Sequence, residues 1–353
     1  MNVLFSATSR QQRPVWLVLF DRLPGVTSDS GALEPSAFDQ LEASGIVFEQ
    51  YIVQDLRSAA TLDDYLGGAE AIGNWCRDAC LPERSVVWLK VISEEQPAVG
   101  VFSASELVAS TQASILALSR GELLQPSSEA VAVIQSAALV IVSVSLPPAA
   151  ATAIEAADLL SQLQSLSAGL SASRGCVEPI WLVTGFRGFP RPLEPPLECG
   201  ADESQMHVPL WVTAKESAGT RLQLLCGSFD LLPTLSELLT HRSPAPCRTA
   251  STDAPLNLLA GEFQRFDSTP RLLKLHHDNW YGLRTSLYFL VQPTNAAAEP
   301  NLPGESSQHF EPDEPPEPRL YLKPDDYWNI NNSIVAFREI AEQMAAANDR
   351  QAT

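Results

Sequence analysis

The sequence is short of positive charge. Its 353 residues carry 23 Lys and Arg against 42 Asp and Glu, a formal net charge of −19. A surface of that sign repels nucleic acid and anionic membrane, and no basic patch interleaved with aromatics offers an exception. Long apolar runs are also missing. The longest apolar region, residues 137–151, is broken by Ser143, Ser145 and two prolines, short of the roughly 18 uninterrupted apolar residues of a membrane helix. It reads as a buried strand instead. Residues 1–14 lack a basic start followed by an apolar core, so no secretory leader is expected and a cytoplasmic location is. The six cysteines (Cys76, Cys80, Cys176, Cys199, Cys226 and Cys247) form no paired C-x-x-C pattern. That argues against a zinc site and for reduced, mostly buried thiols. There is no glycine-rich phosphate loop of the P-loop or dinucleotide type and no internal repeat.

What remains is the composition of a packed globule, with 45% hydrophobic and 18% charged residues. The length implies one large domain, residues 1–245, and a smaller one, residues 256–353. Residues 14–20 are continuously apolar, as in a parallel strand covered on both faces. Residues 35–44 read as a short helix with Pro35 in its first turn and Gly45 as its stop. Strands are expected over 46–53, 85–92, 137–146, 180–184 and 208–214. Helices are expected over 61–79, 103–119 and 149–170, the last with a stripe of Leu159, Leu160, Leu163, Leu166 and Leu170. Asp230 is the expected cap of a helix over 231–240. This alternation argues for a doubly wound α/β layer structure. Beyond a Pro-containing linker at 244–255, residues 271–275, 280–285, 287–292 and 320–323 read as antiparallel strands and 333–347 as a closing helix. Residues 295–318 form an acidic, Pro-rich insertion.

Six segments, in order, resemble the sulfatase family of the alkaline-phosphatase-like superfamily. Residues 13–21, Arg-Pro-Val-Trp-Leu-Val-Leu-Phe-Asp, look like the opening strand that ends in paired aspartates. Residues 38–48 with Tyr51 are similar to a helix-to-strand passage through glycine to phenylalanine. His207-Val208-Pro209-Leu210 resembles an arginine-valine-proline-leucine strand, and Asp230-Leu231-Leu232-Pro233-Thr234-Leu235 a family helix start. Residues 282–290 look like the C-terminal hairpin, and residues 320–332 like the closing segment. The resemblance implies a large α/β domain with a mixed central sheet flanked by helices, plus a small C-terminal domain with an antiparallel sheet and helix.

It also implies a chemistry, most of whose residues are replaced. The family cleaves sulfate esters with calcium and a formylglycine nucleophile made at a C-x-P-S-R motif. Calcium takes about six to eight oxygen ligands. Asp21 matches the first paired aspartate, but Arg22 follows it, and the later Asp-His-Gly is matched by Phe186-Arg187-Gly188. A guanidinium cannot ligate a cation, so no metal and no other cofactor is expected, with Asp21 the one candidate ligand and calcium implied only for an active enzyme. Counting from Tyr51 places Ser58-Ala59-Ala60-Thr61-Leu62 on the nucleophile motif, with Gly68 on its following glycine; Ser58 keeps a hydroxyl, while the motif's proline and arginine are absent. Cys80-Leu81-Pro82-Glu83-Arg84 fits a minimal C-x-P-x-R string but lies after its helix rather than before one. No histidine precedes His207, and His207, His241, His276, His277 and His309 are expected to be structural or at the surface. The expectation is a sulfatase-like chain with eroded motifs that serves in binding or assembly rather than cleavage; Arg22 and Arg187 either pair with Asp21 or supply fixed charge for a small anionic ligand such as a sulfate or phosphate ester. The alternative is an ester hydrolase using Ser58 or a modified Cys80. The oligomeric state is not legible.

Overall fold

The computed structural model describes residues 13–21, 23, 37–57, 59–78, 86–92, 105–111, 113–145, 153–172, 178–188, 203–213, 219–240, 257–259, 271–294, 317–323 and 331–349. Eight strands form the large sheet: β1 (Val15–Phe20), β2 (Gly45–Ile52), β3 (Val86–Ile92), β4 (Ser114–Ser119), β5 (Leu139–Val144), β6 (Ile180–Gly185), β7 (Leu210–Thr213) and β8 (Thr220–Gly227). Their order is β4-β3-β5-β1-β6-β7-β2-β8, and only β7 runs antiparallel to its neighbours. The continuous burial of β1, β5 and β6 follows from this placement, since strands covered by helices on both faces have no solvent side to alternate toward.

Alternation within each strand divides the interior into two cores. Trp16, Val18 and Phe20 face α1 (Ala37–Ser44), α6 (Ser128–Ser136) and α7 (Ala153–Ala172), where Leu41, Ile134, Leu159, Leu160 and Leu163 pack. Val15, Leu17 and Leu19 face the other way, toward α2 (Leu62–Tyr65), α3 (Ala69–Asp78) and α9 (Leu231–Thr240). The remaining short helices before β6 are α4 (Ser105–Thr111) and α5 (Arg120–Leu124).

A second sheet, β12-β11-β10-β9, is antiparallel throughout and comprises β9 (Leu273–His276), β10 (Trp280–Arg284), β11 (Tyr288–Pro293) and β12 (Arg319–Leu322). Its two faces have different fates. Leu273, Leu275, Trp280, Phe289 and Tyr321 join the large interior, while Leu272, Leu283, Leu290 and Leu320 pack on Ala341 and Met344 of α10 (Arg338–Asp349). The small sheet is therefore bonded to the large one through shared apolar burial, which positions its β9 edge beside the candidate site. The linker at 244–255 and residues 295–316 lie outside the described residues.

Four sequence expectations are corrected. Residues 103–119 are not one helix: α4 stops at Thr111, and β4 pairs in parallel with β3 from Val87↔Ser114 to Ile92↔Ser119. The Ser-Ile-Leu-Ala-Leu-Ser string suits either state, and a free sheet edge decides it. The helix over 61–79 is two helices, parted at Gly67 (φ 102) and Gly68 (φ 88), a backbone region L side chains avoid. Asp230 does not cap α9 directly. It ends a short 3-10 turn and accepts the Gly227 N–H at 2.7 Å. Finally, α5, α6 and β8 were not anticipated. The two helices announce themselves by Ser119 with Glu122 and by Ser127 as caps, and β8 by the alternation of exposed Arg221 and Gln223. None of the described helices is long and apolar enough to cross a membrane.

Candidate functional site

The carboxyl ends of β1 and β6 lie side by side, Phe20 in register with Gly185. In open α/β sheets this rim is where ligands bind. Backbone bonds pin the two ends together. The Phe186 N–H donates to the Phe20 carbonyl at 2.7 Å, and the Leu23 N–H to the Arg187 carbonyl at 2.9 Å. Asp21, half-buried, donates its own N–H to the Val144 carbonyl at 2.8 Å.

Phe186 is fully buried against the Tyr65 ring, centroids 5.0 Å apart. The Tyr65 hydroxyl donates to the Gly185 carbonyl at 3.0 Å and meets the Tyr51 hydroxyl at 2.8 Å. Burial raises the Tyr65 pKa, so the phenol stays protonated and remains a donor. The resemblance puts a metal carboxylate at position 186; here that position is part of the apolar interior.

Arg187 reaches toward the nucleophile segment. Its Nη2 donates to the Arg57 carbonyl at 2.6 Å, immediately before Ser58, and its guanidinium carbon lies 5.5 Å from the Phe186 ring. Thr61 caps α2: its hydroxyl accepts the Asp64 N–H at 3.2 Å while Asp64 accepts the Thr61 N–H at 2.9 Å. Burial would raise the Asp64 pKa, but the Thr61 bonds and the Arg57 charge hold it below the usual value. Leu62, where the family motif has arginine, is fully buried. A capped helix thus starts where the resemblance puts the motif, with an apolar side chain at the position it gives to arginine. Arg22, Ser58 and Cys80 lie outside the described residues; Asp21 and Arg187 are brought to adjacent strand ends.

Three features escaped the sequence reading. First, β9 carries His276 and His277 to this rim. The His276 N–H donates to the Gln54 carbonyl and the Leu56 N–H to the His276 carbonyl, each at 2.7 Å, so the chain before Ser58 is clipped to the small sheet. His277 stacks on Trp280 (4.8 Å, 5°), and its Nδ1 accepts the Asn279 N–H at 3.2 Å. Burial lowers its pKa, Asp278 opposing and Arg187 reinforcing, so the ring is neutral near pH 7. Second, Arg57 pairs with Asp55, Nε to Oδ1 at 2.9 Å, and with Asp64 at 3.2 Å. Third, Lys90 lies in β3, in register with Ser143, its ammonium 4.1 Å from the Trp88 ring centroid. Burial lowers its pKa. A lone charge in an otherwise apolar strand was the available signal for Lys90. Nothing local marks Arg57, His276 or His277.

The described residues do not fit calcium. Among them no group of three or more His, Cys, Asp or Glu is placed to hold a metal ion. Past the ends of β1 and β6, position 186 is a phenyl buried in the core and position 187 a guanidinium, where a calcium cage needs oxygens. A cavity of about 400 Å³ between α1 and α7, lined by Arg13, Ser44, Ser167 and Trp181 among others, belongs to the opposite rim, where β1 and β6 begin.

Gly188 meets a steric requirement. Its N–H donates to the Gln205 carbonyl at 2.8 Å, and an added Cβ would stand 1.7 Å from the Ser204 carbonyl oxygen. Gly188→Ala is therefore expected to lower stability by at least about 1–3 kcal/mol, as overpacking against backbone does. Urea unfolding of the variant checks this, and an unchanged midpoint would contradict the close approach.

No protein-family model matches the chain, and no curated protein matches it at the sequence level. Solved structures do. A protein described as a 2-O GAG sulfatase superposes with TM-score 0.60 over 96% of this chain and 92% of its own, at 11% identity. Ps i-CgsB in complex with k-i-k-neocarrahexaose gives 0.62 over 97% and 93%, at 10% identity. A protein in the alkaline phosphatase superfamily from Vibrio parahaemolyticus gives 0.51 over 83% and 79%, at 11% identity. With its mixed eight-stranded sheet, flanking helices and separate four-stranded antiparallel sheet, the chain has the sulfatase and alkaline-phosphatase-superfamily fold.

Proposed function

We propose that this chain binds an anionic ester on the sulfatase-type rim without a metal and without turning it over. The observation that carries the reading is the pair at the end of β6: Phe186 fully buried in the core and Arg187 held by its 2.6 Å bond over the backbone that leads to Ser58. A fixed guanidinium supplies the positive charge that calcium supplies in the family, and does so with bidentate geometry for sulfate or phosphate oxygens. It supplies no activated nucleophile. The structural neighbours whose descriptions name a GAG sulfatase and a neocarrahexaose complex make a sulfated saccharide the leading ligand class. The buried thiols of Cys76 and Cys226 support a reducing, cytoplasmic setting.

A second reading, ester hydrolysis by Ser58 or by a formylglycine at Cys80, draws support from the preserved helix start at Thr61 and from Gly68 with φ 88, in the family positions after Ser58. One set of measurements on the full chain separates them: calcium content, turnover of aryl sulfate and aryl phosphate, intact mass of the Ser58 and Cys80 peptides, and sulfate titration calorimetry. Binding without turnover is expected, with Arg187→Gln weakening sulfate affinity by roughly ten- to hundredfold, the scale of about 1.5–3 kcal/mol for a hydrogen bond to a charged group. Stoichiometric calcium, or formylglycine at Cys80 with turnover, overturns the binding reading in favour of the enzyme.

A further inference from the structure

Glu203 is fully buried, and it opens the four-residue helix α8 (Glu203–Met206). Its carboxylate meets three partners from three parts of the chain. The Arg284 Nη2 of β10 lies 3.1 Å from Oε1, the Lys323 Nζ just past β12 lies 3.0 Å from Oε2, and the His207 Nδ1 lies 3.7 Å from Oε1. The Arg284 and Lys323 side chains are 4% and 1% exposed. Burial alone would raise the Glu203 pKa; the charges of Arg284 and Lys323 overcome it and keep the group ionised. Buried ion pairs of this kind contribute little net stability compared with apolar residues of the same size. What they do provide is a geometry: the carboxylate has one place in which both cations are satisfied.

That geometry bears directly on the candidate rim. The carbonyls of α8 hold the chain leaving β6 and the chain leaving β2. Gln205 accepts the Gly188 N–H at 2.8 Å and Met206 accepts the Val53 N–H at 2.8 Å. Gly188 follows Arg187, and Val53 leads into the 54–57 segment that the Arg187 guanidinium grips through the Arg57 carbonyl. The helix is thus a wedge between the two halves of the site, and its side-chain anchor lies in the small sheet. The ion pairs of Glu203 run to Arg284, Lys323 and His207.

We infer that Glu203 is a positioning residue through which the C-terminal sheet sets the placement of Arg187 against the chain entering Ser58. The inference rests on the anion-binding reading for its consequence, though not for its geometry. In the full chain, Glu203→Gln keeps the shape of the side chain and removes the charge that the two cations require. Amide hydrogen exchange, read in peptides containing Gly188 and Val53, is expected to quicken at least tenfold. The control is Leu160→Ala, a buried residue of α7 on the opposite face, compared at a temperature where the two variants are equally stable. Sulfate affinity is expected to fall about tenfold in Glu203→Gln and to hold in the control. Exchange at Gly188 and Val53 that merely matches the control overturns the inference. If Glu203→Gln does not fold, Lys323→Met, which removes one cation and leaves the carboxylate paired with Arg284, is expected to show the same local quickening, and its absence overturns the inference equally. Local quickening in a chain whose wild type binds no sulfate confirms the positioning role and defeats only the ligand reading.

Discussion

Replacing Arg271 by Ala is expected to destabilise the fold by about 3–5 kcal/mol, the loss that follows when one partner of a buried ion pair is removed. Arg271 grips Asp230 with two bonds, Nη1 to Oδ2 at 2.8 Å and Nη2 to Oδ1 at 2.6 Å, and donates a third to the Leu225 carbonyl at 2.9 Å. The two side chains are 4% and 0% exposed. Water cannot take the place of either partner, so truncating one leaves an uncompensated buried charge. The contrast with Arg120 and Asp158 sets the scale. That pair is 3.4 Å apart with side chains 40% and 59% exposed, and breaking it is expected to cost about 0–1 kcal/mol. The buried pair also matters for architecture. Asp230 ends the turn that starts α9, Leu225 belongs to β8, and Arg271 is the residue from which the second sheet departs. Urea unfolding of both Ala variants measures the difference. A loss for Arg271→Ala no greater than that for Arg120→Ala would show that the bidentate contact does not hold the second sheet to the first. Replacing Asp230 and Arg271 together by apolar residues of similar size should recover most of the loss.

Those parts of the fold whose cause is local were readable in the amino-acid order. The apolar run ending at Phe20, the leucine stripe of α7 and the Leu231–Thr240 helix each carry their own period, and the structure places them as read. Where the cause is a neighbour, reading failed. The Ser114–Ser119 string became a strand because β3 offers it a partner, and a helix-compatible mix of Ser, Leu and Ala cannot announce that in advance. Asp230 looks like a helix cap until Arg271, distant in sequence, claims its carboxylate. The site divides the same way. Asp21 and Arg187 could be located because each ends a recognisable strand. Arg57, His276 and Glu203 reach the rim or its support through hydrogen bonds and ion pairs between segments far apart in the chain, and no spacing rule connects them.

The proposed absence of a metal cage is compatible with an intact fold for the same reason. A metal site at strand ends is built from a few side chains on a scaffold whose stability lies elsewhere, in the two apolar cores and the buried pairs. Exchanging a ligand for an apolar residue at such a position removes like-charge repulsion and adds burial. At position 186 the Phe ring sits against Tyr65 and continues the core up to the rim.

Placing a carboxylate at position 186 is therefore expected to be expensive and without reward. Phe186→Asp removes a fully buried ring, which costs about 3–5 kcal/mol when a core Phe is truncated. It also puts a carboxylate beside the Tyr65 ring and beneath the Gly185 carbonyl that Tyr65 already engages. Arg187 could offset part of the new charge, since its guanidinium carbon lies 5.5 Å from the present ring. Yet that same guanidinium repels a divalent cation, and two carboxylates, Asp21 and the new one, fall well short of the roughly six to eight oxygens that calcium takes. Thermal unfolding with and without millimolar calcium is the measurement. The variant should melt far below the wild type at both calcium levels, with no difference between them. A calcium-dependent rise confined to Phe186→Asp would mean that other oxygens already surround the rim, and that one side chain rather than the whole cage separates this chain from a metal-binding relative.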